Sequence, residues 1–401
     1  MRPEGPRPLI THRRVMLVLG IVVVALLVLG WHWLPVSIAV PPSEARSPGE
    51  TDGIASQLKP PQGFTVNAYA TGLGDARSMA LTPRGDIILS SPPARVLLIK
   101  ADKDGDGRAD GVVTLIDGLH NVTGLTLDGD QLYVAEDGRV LRTGFDAEAG
   151  RVTGSLETVL ADLPPGGMHW SRTIKKGPDG VFYVSIGASC NVCIESNPWR
   201  AAIIRFKPGE KPELFASGLR NTVGFDWQPG TGDLYGVDNG RDWLGDDFPP
   251  EDVNRIVEGG FYGWPYLHGD NVPDPDYGQQ AGERAKIAIA PVYKLPAHVA
   301  PLSIIFLRHA GAPSLADTAL VAEHGSWNRS RKDGYQVVAL TWRDGAISQT
   351  PFLTGFLKDG EVLGRPVDLA EAPDGTVFVS DDFGGVIWRV VPSAQKPAAA
   401  G

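Results

Sequence analysis

Short stretches of alternating apolar and polar residues recur along the chain, each broken by a turn built on Pro, Gly and Asp. Arg77–Leu89 (RSMALTPRGDIIL), Val122–Val134 (VTGLTLDGDQLYV), Ser171–Val184 (SRTIKKGPDGVFYV), Arg220–Val237 (RNTVGFDWQPGTGDLYGV) and Arg365–Val379 (RPVDLAEAPDGTVFV) follow this plan. Each reads as two half-buried strands joined by a tight turn. A noisier copy lies between Val292 and Leu340, with strands expected at Leu302–Leu307 and Ala319–Ala322. A further strand closes each unit, at Arg95–Lys100, Arg139–Thr143, Ala202–Phe206, Val253–Val257, Tyr335–Thr341 and Val386–Val391. Six units of roughly 40–60 residues, with no long amphipathic helix between them, predict an all-β, six-bladed β-propeller over residues 64–392.

The pattern changes at the N-terminus. Val15–Trp31 (VMLVLGIVVVALLVLGW) carries no charge. With the residues after it, this run reaches the roughly 20 apolar residues that a bilayer crossing needs. Arg7, His12, Arg13 and Arg14 precede it, and the next charged residue is Glu44. The positive-inside rule then predicts a cytoplasmic segment 1–14 and a transmembrane anchor 15–35, with the rest outside the cytoplasm. A cleaved signal peptide is the rival reading, because Ser37-Ile38-Ala39 resembles a cleavage site. Either way the folded part is exported. The Pro/Ser/charged make-up of 36–63 predicts a flexible linker, and 393–401 a disordered tail.

Composition narrows the function. The chain of 401 residues has 49 Gly, 33 Pro and a formal charge of −10. That balance, with no Lys/Arg-rich run, argues against nucleic acid, because phosphate binding needs a basic footprint.

In a propeller, loops at one end of the central channel face one another. The residues ahead of the expected inner strands are His120/Asn121, His169/Arg172, Arg220/Asn221, His298 and Arg365. Asn239, His324 and Arg329 follow strands instead. Singly, each reads as a satisfied structural group. As a set they suit an anionic ligand with several acceptors, since Arg forks match carboxylates. Asp102, Asp104, Asp106 and Asp110 alternate with glycines as at the start of an EF-hand loop, but Val113 stands where the closing glutamate belongs. A structural Ca²⁺ and a solvated acidic turn are both open there. Cys190 and Cys193 are the only cysteines; without a following His they exclude covalent haem attachment, and in an exported chain they suit a local disulfide. Asp246, Asp247, Glu251 and Asp252 read as a solvated face. A second Ca²⁺ at Glu251 or Asp252 with Tyr262 is the sharper alternative.

Several motifs resemble those of the pyrroloquinoline quinone (PQQ)-dependent sugar dehydrogenases, most closely their sorbosone dehydrogenase-like branch. They are Gly166–Ile174 (GGMHWSRTI), Gly177–Gly187, Gly218–Asn221 (GLRN), Asp252–Ile256, Gly260–Pro265 (GFYGWP) and Ala322–Arg329 (AEHGSWNR), in the family's order over the whole propeller. The resemblance implies a six-bladed propeller and hydride transfer from a sugar, polyol or sugar-derived aldehyde to PQQ. It implies His169 as the general base, a role that suits imidazole's ordinary pKa. Arg220 and Asn221 match quinone contacts, with the Arg220 charge stabilising the reduced cofactor. Gly240 and Arg241 match backbone carbonyls that hold a Ca²⁺ acting as Lewis acid. Asn239, His298, His324, Arg329 and Arg365 fall to cofactor binding. Three departures stand out: Ala188-Ser189 replace the aspartate that orients the base, Leu363 replaces a second cofactor arginine, and the cofactor lysine has no counterpart. Taken with the apolar N-terminal run, the expectation is a membrane-anchored, extracytoplasmic enzyme passing electrons to a respiratory acceptor. The competing class is a non-redox propeller, either a Ca²⁺-dependent lactonase or a carbohydrate-binding module.

Overall fold

Six antiparallel sheets, each with four principal strands, stand around one axis. The structure is a computed structural model and describes residues 48–309 and 315–393. The inner strands of blades 1 to 6 are Met79–Leu81, Gly124–Asp128, Arg172–Lys176, Thr222–Trp227, Pro301–Phe306 and Pro366–Glu371. Each touches the next, and the sixth touches the first, so the ring closes. Every second strand pairs antiparallel with its inner strand, as the alternation and turns predict. The fourth strands, Val112–Ile116, Glu157–Leu160, Glu213–Ser217, Tyr293–Leu295 and Ala346–Leu353, escape a pattern reading because they lie at exposed edges and carry little alternation. The sixth blade takes its fourth strand from the other end of the chain: Phe64–Ala70 pairs with Val386–Pro392.

Apolar residues from neighbouring sheets interlock between the blades. Ile88, Val96 and Leu98 of blade 1 pack with Leu125, Leu132 and Val134 of blade 2. Val237 and Val253 of blade 4 pack with Ile304, Phe306 and Val321 of blade 5. Burying each such side chain contributes about 1.5–3 kcal/mol. The ring is tight at its centre. A Cβ on Gly224 would lie 2.5 Å from Ser303 Cα, and one on Gly124 would lie 2.5 Å from the Arg172 carbonyl oxygen. Only glycine permits those approaches.

The structure departs from the expected linker. Within 36–63, Pro48–Ala55 is a helix. Thr51 is fully buried, and Ile54 and Leu58 join the core of blades 5 and 6. Polar composition misleads here because Thr51 and Ile54 on the helix, with Leu58 just past its end, suffice to dock two turns. The expected segments 1–14 and 15–35, and the tail beyond Ser393, lie outside the described residues. Among the described residues no helix is long and apolar enough to cross a membrane.

Strand direction decides which loops share a face. The segments ahead of inner strands and those after second strands emerge together, at what we call the upper rim. The Asp102–Gly111 loop joins a third to a fourth strand and so lies at the opposite end. The long 257–292 connection of blade 4 starts there too, but it climbs the outer edge. Gly260–Phe261 adds in parallel to the fourth strand of blade 3, and Asp274 reaches Arg241 on the rim.

Candidate active site

His169 stands on the rim just ahead of the inner strand of blade 3. Its Nδ1 is 2.8 Å from the carbonyl oxygen of Ala188. A carbonyl can only accept, so Nδ1 carries the proton and Nε2 presents a lone pair. A backbone carbonyl thus orients this ring, where the departure at Ala188-Ser189 left its partner unknown. Burial lowers the His169 pKa to about 3, and the Arg220 and then Arg200 charges add to that shift. The imidazole is therefore neutral at any physiological pH.

The neighbouring blade closes around it. The Ala188 N–H donates to the Arg220 carbonyl at 2.7 Å. A Cβ on Gly187 would lie 2.5 Å from His169 Cβ and 2.6 Å from Asn221 Oδ1, so glycine lets these two side chains flank one point. Asp238, at the end of the second strand of blade 4, accepts from the Arg220 and Asn221 N–H groups and from Thr222 Oγ1. Burial still raises its pKa to about 6. The buried Arg220 guanidinium donates to the Asn191 carbonyl and Oδ1, both at 2.9 Å, to the Asn239 carbonyl at 3.0 Å and to Asp242 at 3.2 Å. Four protein acceptors fix it in place.

Blade 6, opposite blade 3 in the ring, contributes a second cationic group. Asp382 accepts from Arg77 at 2.8 Å, from Arg365 Nε at 3.0 Å and from His324 at 3.0 Å. Burial would raise the Asp382 pKa, but His324, Arg77 and Arg365 hold it well below the usual carboxylate range. Burial lowers the His324 pKa in spite of Asp382. The Nη groups of Arg365 make no hydrogen bond among the described residues; the guanidinium lies 5.6 Å from the Phe383 ring.

Other expected contacts are engaged elsewhere. His298 Nε2 meets the Gly245 carbonyl at 2.8 Å. Arg329 donates to the Asp246 carbonyl at 2.6 Å and to Asp247 at 3.0 Å. Both brace the 242–250 loop through these bonds. Asn239 Nδ2 ties the loop to blade 5 through the Pro301 carbonyl at 2.8 Å. Arg172 is fully buried and donates to four carbonyls between Pro164 and Ser171, a structural role. His120 is largely exposed and Asn121 half-buried, and both pair with Asp137.

The carbonyl oxygens of Gly240 and Arg241 accept no hydrogen bond among the described residues. The Arg241 side chain turns away to Asp274 and Asp276. Oxygen donors left over in this way fit a hard cation. The solvated acidic face expected at Asp246–Asp252 is only half present. Asp247 is exposed, but Glu251 is 2% exposed and accepts from the Gly240 and Ala300 N–H groups. Burial raises the Glu251 pKa to about 8. Asp252 Oδ1 is buried without a partner. Burial, then the Asp238 charge, raises its pKa well above the usual range. The Tyr262 hydroxyl donates to the Arg255 carbonyl and accepts from the Val257 N–H, so it is not available to a cation.

Sequence reasoning missed Asp382, Asp238, Asp242, Asn191, Arg77 and Arg200. A signal for two of these was present. Second strands of blades 4 and 6 end in an acid, at Asp238 and Asp381, and that of blade 2 is followed at once by Glu136. Each accepts the N–H of the residue ahead of its own inner strand, at His120, Arg220 and Arg365. Asp382 follows one such acid directly.

The remaining motifs sit apart. Cys190 and Cys193 are joined, with Cα atoms 6.3 Å apart. Asp102, Asp104 and Asp110 bring carboxylate oxygens within 4.8 Å of one another. Asp102 also accepts from the Gly105 and Gly107 N–H groups and Asp106 from the Arg108 N–H.

Comparison with known proteins fits this arrangement. The family model for TrAA12-like proteins matches residues 58–255 and 276–393. The chain belongs to the TrAA12-like family. An uncharacterised protein of Borreliella burgdorferi is 32% identical over 356 residues, covering 84% of this chain and 91% of that one. The PQQ-dependent pyranose dehydrogenase of Coprinopsis cinerea is 24% identical over 83% of this chain, which spans 54% of that protein's length. Among solved structures, the Trichoderma reesei enzyme of carbohydrate-active family AA12 superposes with a TM-score of 0.72 at 22% identity, covering 84% of this chain and 98% of that one. The holo PQQ domain of the Coprinopsis pyranose dehydrogenase gives 0.71 at 20% identity, covering 88% and 98%. The propeller fold is thus shared by PQQ-dependent sugar dehydrogenases and this TrAA12-like chain. Among the described residues lining the central channel, Asp368 is the lone acid, and Met79 N–H and Ser303 Oγ already satisfy it.

Proposed function

We propose that this protein is a quinoprotein dehydrogenase that oxidises a sugar, a polyol or a sugar-derived aldehyde with PQQ as acceptor. The observation that carries the reading is His169: a neutral imidazole, its Nδ1 pinned and its Nε2 open, flanked by Arg220 and Asn221. The donor set fits a planar tricarboxylate. Asn221 on one side, and Arg365 with His324 and Arg77 on the other, would hold it, with Arg220 fixed behind. Gly240 and Arg241 carbonyls would hold a Ca²⁺ beside it. Bound PQQ supplies a two-electron acceptor for hydride, and Ca²⁺ a Lewis acid at its reactive carbonyl.

The chain's own residues do the rest. His169 Nε2 accepts the proton of the substrate hydroxyl, and the Ala188 carbonyl stabilises the resulting imidazolium through Nδ1–H. Arg220 provides fixed positive potential where negative charge develops. Trp243 and Trp327, 54% and 42% exposed, meet edge to face at 5.4 Å on the loops that flank Asp242 and Asn328. Aromatic faces of this kind suit the C–H face of a pyranose. We assign the exported side of a membrane as the workplace, with residues 15–35 as anchor and a respiratory carrier as electron acceptor; the apolar run Val15–Trp31 supports this.

The test adds PQQ and Ca²⁺ to the purified protein and follows the quinone absorbance, with dye reduction across aldoses. A spectral change with sugar-dependent dye reduction is expected. No change, together with lactone hydrolysis, overturns the reading.

A further inference from the structure

The disulfide between Cys190 and Cys193 closes a ring of four residues directly after the stretch that orients His169. The Ala188 carbonyl accepts from His169 Nδ1, and the Ser189 carbonyl accepts the Met168 N–H at 2.9 Å. On the far side of the ring, Glu195 accepts the Ser189 N–H at 2.5 Å and its hydroxyl at 3.0 Å. The half-cystines pack on Trp264, Ala188 and Ala201. Asn191 lies inside the ring and spends its carbonyl and its side-chain amide on the rim. Its carbonyl and Oδ1 accept from Arg220. The same Oδ1 accepts the Asp242 N–H at 2.8 Å, and Nδ2 donates to the Asp242 carbonyl at 3.2 Å.

We propose that Asn191 is a positioning residue: held by the Cys190–Cys193 ring, it locks the Arg220 guanidinium and the 239–250 loop into one unit against His169. The proposal deepens the dehydrogenase reading and rests on it. Three physical points support it. A primary amide that donates once and accepts twice can fix two chain segments at once. A short covalent ring removes the backbone freedom that a surface loop otherwise has. Arg220 is within electrostatic reach of His169, so its placement adds to the effect of burial on the imidazole's proton affinity. The other charge facing His169 is Arg200, which is held by the Gly187, Pro165 and Gly166 carbonyls and makes no contact with Asn191.

The test uses the full-length protein without cofactor and reads the His169 Cε1–H resonance against pH. In the wild type the midpoint is expected at about 3. In Asn191→Ala, Arg220 loses one of its four acceptors and the 239–250 loop loses its two bonds to the amide, and the midpoint is expected to rise by about one pH unit. Cys190→Ala/Cys193→Ala, which also releases the Asn191 carbonyl, is expected to raise it at least as far. Val192→Ala shortens a side chain in the same ring without touching Arg220 and is expected to leave the midpoint unchanged. Asn191→Ser serves if the alanine variant does not fold. With PQQ and Ca²⁺ present, Asn191→Ala is expected to lower kcat by about tenfold with KM changed much less. An unmoved midpoint in the Asn191 variants, or an equal rise in Val192→Ala, overturns the proposal. Midpoints that shift as expected in a protein with no dehydrogenase activity would sink the reaction and leave the positioning role standing.

Discussion

His169 is a weak base when the rim holds no ligand, because burial and two nearby guanidinium groups disfavour its cation. An anionic ligand beside Arg220 offsets that positive potential, and an opposite charge nearby favours the protonated imidazole. Binding of PQQ is therefore expected to raise the His169 midpoint from about 3, and NMR titration with and without cofactor checks the sign. His169→Gln keeps hydrogen-bonding shape but cannot take up a proton. It is expected to abolish dye reduction while spectrophotometric titration shows PQQ binding largely intact. Trp327→Ala is expected to raise KM for the sugar about tenfold while kcat stays within a few fold, since a stacking contact made equally in ground and transition states affects binding alone. Asp382 shows the opposite electrostatics. Its folded-state pKa lies below the unfolded value, so its contribution is present above about pH 4 and is lost as pH falls through the folded value. Asp382→Asn leaves Arg77, Arg365 and His324 facing one another without their shared anion. A loss of roughly 3–5 kcal/mol at pH 7 is expected in urea unfolding.

At the level of strands and loops, the inner strands tolerate almost no added volume. Gly224→Ala would drive a methyl to within 2.5 Å of the Ser303 backbone. A loss of about 1–3 kcal/mol, read by thermal unfolding, is expected from such overpacking. The first two strands of each blade were readable because alternation and turn chemistry agree there: Arg365–Val379 shows both within fifteen residues. The helix at Pro48–Ala55 was not, since its docking depends on Ile54 and Leu58 meeting partners some 250 residues and more away. The rim divides the same way. His169, Arg220, Asn221 and Arg365 were readable from their repeat positions. Of the partners, Asn191 and Asp242 were not, because they come from loops of no fixed pattern. His298 and Arg329 show the limit: residue type suggested a ligand contact, and nothing in the pattern announced that both also hydrogen-bond to the 242–250 loop.

Across the whole molecule, buried carboxyls make stability depend on pH. Glu251 has a folded-state pKa near 8 against an ordinary value of 4.5. The folded state then holds a proton that the unfolded state has released, so this group's contribution to stability falls as pH rises from about 5 to 8. Glu251→Gln cannot release that proton. Urea unfolding at several pH values is expected to show a wild-type decline through this window that the variant lacks.

The ring ends where it begins. Phe64–Ala70 completes the sheet that holds Val386–Pro392, and the Ser393 N–H donates to the Gly63 carbonyl at 2.6 Å. Topologically the propeller is a necklace whose clasp is non-covalent. A covalent link between residues 63 and 393 with a new opening at the Lys207–Glu210 turn would move the clasp to another bead, and the rim chemistry, none of which lies in the closing strand, would travel unchanged.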